Sequence, residues 1–309
     1  VTEPRRSSRT GVVFAFAAYG LWGFLPLYFI ILEPANAFEI VAWRIVFSLV
    51  LCAVLLTVTR SWPAFLAIVR TRRLLLAMAL AAVFIYINWQ VYVFGATTGH
   101  VVETSLGYFI NPIVTVLLGV VVLHERLRWM QWAAVGISAV AVLVVALNYG
   151  EFPWIALTLA FSFGLYGLIK KRVGPSVDAL SGLTLETAWL LPVAVVQLVV
   201  VGMTTGVTFG QGAGHTALLV GVGVTTAVPL LFFAAASRRL PLVTMGLVQY
   251  IAPVLQLLIG VLFLHEPMPP ARWIGFGLVW VALAVLTIDV LRASRASRRV
   301  VTPDALPAG

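Results

Sequence analysis

Charge is what this chain has least of. Asp, Glu, Lys and Arg make up 10% of its 309 residues, while 61% of residues are hydrophobic; a soluble domain carries about 25% charge. Mean hydropathy is +1.05. No water-soluble fold hides that much apolar surface, so the solvent is lipid. Cysteine is nearly missing as well: Cys52 stands alone in an apolar run, which rules out an internal disulfide. The four histidines are scattered and no zinc-type ligand spacing occurs, so neither a metal nor another cofactor is expected. No G-x-x-x-x-G-K-[ST] loop is present, which argues against nucleotide binding and an ATP-driven pump. A membrane-embedded enzyme would need nucleophile, acid/base or metal groups clustered at one face, and none is found. A sensory or interaction subunit would bring a soluble domain or a long tail, and neither is seen.

What is there is a succession of apolar runs. About 20 residues span a bilayer, and reading for such lengths gives ten, at approximately 12–32, 37–59, 74–96, 101–123, 129–147, 152–170, 179–201, 215–236, 242–264 and 271–291. The start, with Arg5, Arg6 and Arg9 before an apolar run, imitates a secretory signal. The run holds Pro26 and lacks a small-residue cleavage site, so it reads as the first span. Basic residues fall in every second connection: Arg60, Arg70, Arg72 and Arg73; Arg126 and Arg128; Lys170, Lys171 and Arg172; Arg238 and Arg239. The intervening connections hold only Arg272. By the positive-inside rule both ends lie in the cytoplasm. The same placement accounts for the net charge of +9 without nucleic acid as a partner. Residues 1–11 and 292–309 read as disordered cytoplasmic ends.

One stretch occurs twice. Leu106–Trp132 and Val248–Trp273 align on Pro112 and Pro253, and the identities continue through Gly119/Gly260, Leu123/Leu264, His124/His265, Glu125/Glu266 and Trp132/Trp273. Such a register marks an internal repeat. It divides the chain into a first half at 12–147 and a second at 148–291, five spans each. Five is odd, so the second half enters the membrane from the opposite side. The expected fold is all-α and polytopic, ten transmembrane helices as two inverted five-helix repeats, an architecture of secondary transporters.

Several segments carry a family resemblance: YGLWGFLPLY (19–28), EIVAWRIVFS (39–48), NWQVY (88–92), VVETSLGYFINP (101–112), SFGLYGLIKKR (162–172) and QYIAP (249–253). The chain resembles the RarD-type permeases, in the EamA-like branch of the drug/metabolite transporter superfamily. Two positions depart from the usual pattern, Trp43 where His is expected and Gln90 where Gly is expected. The resemblance implies two inverted five-helix repeats around a central cavity, with spans 5 and 10 as buttresses. It also implies export or exchange of small organic solutes across the inner (plasma) membrane, membrane lipids being the surroundings.

Within the spans, ionisable and amide groups are the functional candidates, because each is costly in lipid. Arg44 is the basic residue placed inside a span, and Glu186 lies 142 positions further on, near the equivalent place in the second half. That spacing allows the two to approach across the pseudo-axis. They read either as a binding or gating pair, Arg44 taking a carboxylate and Glu186 an amine or proton, or as a structural ion pair. Glu186 is also the proton-coupling candidate. Glu39 and Glu103 open spans 2 and 4, as interfacial groups or as entry and coupling groups. Asn88 and Tyr92 share a helix face beside Trp89, and Tyr108 and Asn111 with Gln249 and Tyr250 form the repeated site. These residues would line a solute site, or serve as helix–helix glue. Pro26, Pro112, Pro229 and Pro253 are read as helix kinks. The His-Glu pairs fall on opposite faces and share no ion; Glu125 with Arg126 and Arg128 is expected to pin span 4 at the surface.

Overall fold

In lipid an apolar segment satisfies its backbone internally, as a helix, and helices are what this chain forms. A computed structural model describes residues 4–124, 127–149, 152–174, 176–237, 239–240, 245 and 248–300. In order the helices are α1 (Pro4–Ile31), α2 (Ala37–Val58), α3 (Trp62–Arg70), α4 (Arg72–Thr97), α5 (Val101–Leu123), α6 (Trp129–Tyr149), α7 (Trp154–Val173), α8 (Ala179–Thr204), α9 (Ala213–Ser237), α10 (Ile251–Leu258) and α11 (Pro270–Val300). A π-helical stretch, Ile259–Phe263, continues α10. Among the described residues, eight helices are long and apolar enough to cross a membrane, and Trp154–Lys170 and Ile251–Phe263 are shorter apolar helices. The chain is a polytopic, all-helical membrane protein.

The packing runs between the halves. α2 lies against α8 and α9, α4 against α7 and α8, and α1 against α9 and α10. α5 lies against α7 and α10, and α6 against α11. Every one of these pairings joins a helix of the first half to one of the second. Exchanging each apolar run for its counterpart five places along returns the same set. The main core fills the α1–α2–α4–α8–α9 centre around Phe29, Ile40, Ile45 and Leu219. A second core, around Phe109, Ile113 and Phe276, joins α5 to α11. The repeat also appears in the backbone: His124 and His265 both end their helical stretch at φ 55°, a left-handed conformation.

The expected elements differ from the observed ones in several places. Residues 62–70, read as connection, form the amphipathic α3, with Pro63 in its first turn and Phe65, Ile68 and Val69 turned toward Met78 and Val177. Of the ends read as disordered, residues 4–11 and 292–300 are helical, while 1–3 and 301–309 lie outside the described residues. Pro4 sits at a helix start, where its missing N–H costs nothing, and the Arg- and Ala-rich 292–300 stretch has favourable helix propensity. Pro26, Pro112 and Pro229 do lie inside helices, but so does Pro192, which the sequence reading passed over. Pro253 sits in the first turn of α10, just after a turn at Gln249 and Tyr250 that follows helical Val248.

Candidate functional site

The centre of the seam is built on α2. Its buried stripe carries Arg44, Ser48 and Cys52 at successive turns, facing the other helices. Arg44 is 4% exposed, and its guanidinium carbon lies 4.3 Å from the Trp89 ring centroid and 5.8 Å from that of Phe29. Such stacking contributes about 1–2 kcal/mol when desolvated. It does not match the several kcal/mol that burying a charge costs. No carboxylate reaches Arg44 among the described residues, whose ion pairs are Arg128–Asp289 and Lys170–Glu186. Its Nε and Nη1 have no hydrogen-bond partner, and neither has the Ser48 hydroxyl.

Around this cation stands an aromatic and amide wall. α4 presents Asn88, Trp89 and Tyr92, all buried. Asn88 donates to Leu159 O and Ser162 Oγ, both at 3.2 Å, and accepts from the Tyr108 hydroxyl at 3.0 Å. Tyr92 meets Phe29 and Tyr108 edge-on at 5.9 and 5.6 Å. Its own hydroxyl is buried without a partner. Asn111 donates to Ala160 O at 3.0 Å, tying α5 to α7. Gln256 of α10 is 2% exposed, donates to Trp22 O at 3.3 Å, and faces the Tyr92 hydroxyl. Sequence reasoning missed Gln256, although an amide inside the run IAPVLQLLIG carries the same signal as Asn88 in its own.

Glu186 is elsewhere. Its carboxylate takes the Lys170 ammonium at 2.9 Å and the Tyr166 hydroxyl at 3.4 Å, all within the second half. The anticipated Arg44–Glu186 pair is absent, and the antiparallel run of α2 and α8 explains why. Each residue lies seven positions from the start of its own helix, α2 or α8, so each is about 10 Å in from one end. Asn36, ahead of α2, donates to Thr205 Oγ1 at the end of α8 at 3.0 Å, so the two helices run antiparallel and their charges lie toward opposite ends of the pair. Lys170 had been assigned to a connection, but its four-carbon stem reaches back along α7 to the carboxylate. Tyr250 also lies apart from Arg44: it stacks on Phe109 at 6.4 Å in the second core. Gln249, beside it, is part-exposed. Gln90 pairs with Gln197 at 2.8 Å, and Trp43 stacks on Phe209 at 4.2 Å. Glu125 and Arg126 lie outside the described residues, and Arg128 pairs with Asp289 at 2.8 Å.

One end of the bundle is sealed across the halves by carboxylates. Glu39 is fully buried and accepts from Thr208 N at 2.8 Å, Thr208 Oγ1 at 3.0 Å and Phe209 N at 3.1 Å. Glu266 accepts from Val101 N at 2.6 Å and Val102 N at 2.8 Å, capping α5. Glu103 accepts from Ile155 N at 3.0 Å and Ala156 N at 3.3 Å, capping α7. A helix N-terminus offers free N–H groups and a favourable dipole to such an anion. His215 to Leu32 O and Tyr28 to Leu218 O, at 2.9 and 2.6 Å, add further bonds at this end. At the opposite end, among the described residues, the inter-half ion pair is Arg128–Asp289, whose arginine side chain is 49% exposed.

The profile of the EamA-like transporter family matches residues 9–147 and again 153–288. The chain belongs to that family. Within it the likeness is to RarD-type permeases. Protein RarD of Streptomyces exfoliatus is 50% identical over 297 residues, 96% of this chain and 94% of that one. The uncharacterized transporter YojE of Bacillus subtilis is 41% identical, covering 94% of this chain and 98% of the other. A crystal structure 17% identical in sequence superposes with a TM-score of 0.59 over 92% of this chain and 99% of its own. That likeness concerns the fold alone. This EamA-like chain is therefore a multi-pass membrane transporter of the drug/metabolite superfamily.

Proposed function

We propose that the chain is a secondary transporter of small organic solutes carrying an anionic group, working as an exporter or exchanger in the plasma membrane. Ten spans would form two inverted five-helix halves, 12–147 and 148–291, with both ends cytoplasmic. The doubled family match and the exchange symmetry of the helix pairings support this division. The alternation of basic connections supports the orientation.

One observation carries the reading: a buried guanidinium in the inter-half seam, with two nitrogens unpartnered and no carboxylate at hand. A charge left in that condition is stabilised when a ligand brings the opposite one. A solute carboxylate or other small anion on Arg44 supplies it. Asn88, Trp89, Tyr92 and Tyr108 would shape the walls, and Asn111 would hold α5 in place. In this reading the carboxylate-sealed, arginine-poor end is the outer side, and the state is closed there. Opening outward requires Glu39, Glu103 and Glu266 to release the other half. Glu186 remains the proton-coupling candidate, with Lys170 in place of Arg44 as its partner. Counterflow in proteoliposomes tests the reading: solute exchange is expected in the native protein and lost in Arg44→Ala with folding intact. Equal exchange by Arg44→Ala would overturn it.

A further inference from the structure

The short helix α3 belongs to the arginine-rich end of the bundle, and its apolar side chains divide between two settings. Phe65, Ile68 and Val69 pack in one cluster with Met78 of α4, Tyr166 of α7 and Leu185 of α8. Trp62 and Leu66, four residues apart and so on one face, stay 37% and 45% exposed. Flanking them in the chain are Arg60, Arg70, Arg72 and Arg73, all exposed. No carboxylate answers these four among the described residues. The ion pairs there are Arg128–Asp289 and Lys170–Glu186, and Asp178 is engaged in capping α8, accepting from Ser181 N at 3.0 Å. Two of the placements run against local backbone preference. Arg60 holds φ 55° just past the end of α2, its N–H donating to Thr57 O and that of Ser61 to Leu56 O, the position where glycine is the usual residue. Arg72 and Arg73 open α4, whose first turn carries no acid and whose dipole disfavours cations. Arginines set against local preference point to an anion outside the chain.

We propose that this surface binds anionic phospholipid, with headgroup phosphates on Arg60, Arg70, Arg72 and Arg73 and with Trp62 and Leu66 set into the acyl-chain boundary beside them. Basic clusters next to a span attract anionic headgroups, and an amphipathic helix with tryptophan and leucine on its apolar side lies in the bilayer interface. The Trp62 indole is fixed at the end of α2, donating to Thr57 Oγ1 at 3.0 Å and meeting Phe65 edge-on at 5.6 Å. The same helix bears on the interior. Tyr166, in the α3 cluster, donates to Glu186, and the Lys170 ammonium that pairs with Glu186 rests over Gly182 beside Val177 and Met78 of that cluster. Bound lipid thus holds α3 as a roof over the Lys170–Glu186 pair.

In the test, the full chain in detergent is offered equal amounts of phosphatidylglycerol and phosphatidylcholine with identical acyl chains, and the retained lipids are counted by native mass spectrometry. Phosphatidylglycerol is expected to be preferred by at least about tenfold. Arg60→Gly relieves the left-handed residue and so keeps the fold, yet it is expected to lower the preference about fivefold, the share of one arginine at an anionic surface. Replacing Arg70, Arg72 and Arg73 together by Gln is expected to abolish the preference, and if that variant does not fold, Arg60→Gly decides alone. Arg9→Gln removes an exposed arginine at the start of α1 and is expected to change nothing. Equal retention of the two lipids by the native chain, or an equal fall in Arg9→Gln and Arg60→Gly, would overturn the proposal. Glycerol phosphate, a headgroup without its chains, is expected not to displace the retained lipid at equal concentration; displacement would mark a site for soluble phosphates and overturn the membrane-surface assignment.

Discussion

Glu266 offers the sharpest test of the sealed end. Its two oxygens hold the first two N–H groups of α5 at 2.6 and 2.8 Å. Hydrogen bonds to a charged group contribute about 1.5–3 kcal/mol each. Glu266→Gln keeps the shape but removes the charge, and one of its two heads becomes a donor facing a donor. The loss to the closed state is therefore about 2–4 kcal/mol. At 1.4 kcal/mol per tenfold, that shifts the closed-to-open ratio by a factor of roughly 30 to 1,000. The assay is thiol accessibility: with Cys52 replaced by Ser, a cysteine at Ser48 is labelled by a membrane-impermeant reagent applied from the outer side. Labelling is expected to rise by at least about tenfold in Glu266→Gln over the same background with Glu266 intact. Unchanged labelling in a folded variant would refute the reasoning, because the carboxylate would then be a static cap.

Other expectations follow from the same geometry. Arg44→Met should raise the melting temperature while abolishing solute binding, since an unpaired buried charge gives way to an apolar side chain; a lower melting temperature would mean Arg44 is paired in the resting protein. Lys170→Met strands the Glu186 carboxylate and should destabilise by about 2–4 kcal/mol, with Glu186→Gln in addition restoring most of it; thermal unfolding in detergent reads both. Tyr108→Phe removes the donor to Asn88 at 3.0 Å and should cost about 1 kcal/mol of stability, whereas Tyr250→Phe, whose ring stacks on Phe109, should leave solute binding unchanged.

Much of this arrangement could be read along the chain. Apolar length marks spans, because it is a property of single segments in a bilayer. The partners of Asn88 and Tyr108 were legible for the same reason: a polar side chain in such a run needs a protein partner. What escaped was relational. Equivalence by repeat suggested that Arg44 meets Glu186, yet α2 and α8 run antiparallel, which sets equivalent residues toward opposite ends rather than side by side. Lys170 looked like a loop residue because its Cα is at a helix end, while its ammonium reaches inward. Glu39, Glu103 and Glu266 look interfacial by position; only the fold shows which N–H groups of the other half they accept from. α3 was hidden by its length, nine residues, too short to register as a span.

The measurement closest to the central claim is two-sided labelling of that Ser48→Cys in a Cys52→Ser background. Ser48 lies one turn beyond Arg44 on the same buried face of α2, with its hydroxyl unpartnered. Alternating access requires an impermeant thiol reagent to reach it from either side of the membrane, at different times, with solute protecting against both. Reaction from one side only, or from neither under turnover conditions, would contradict the account.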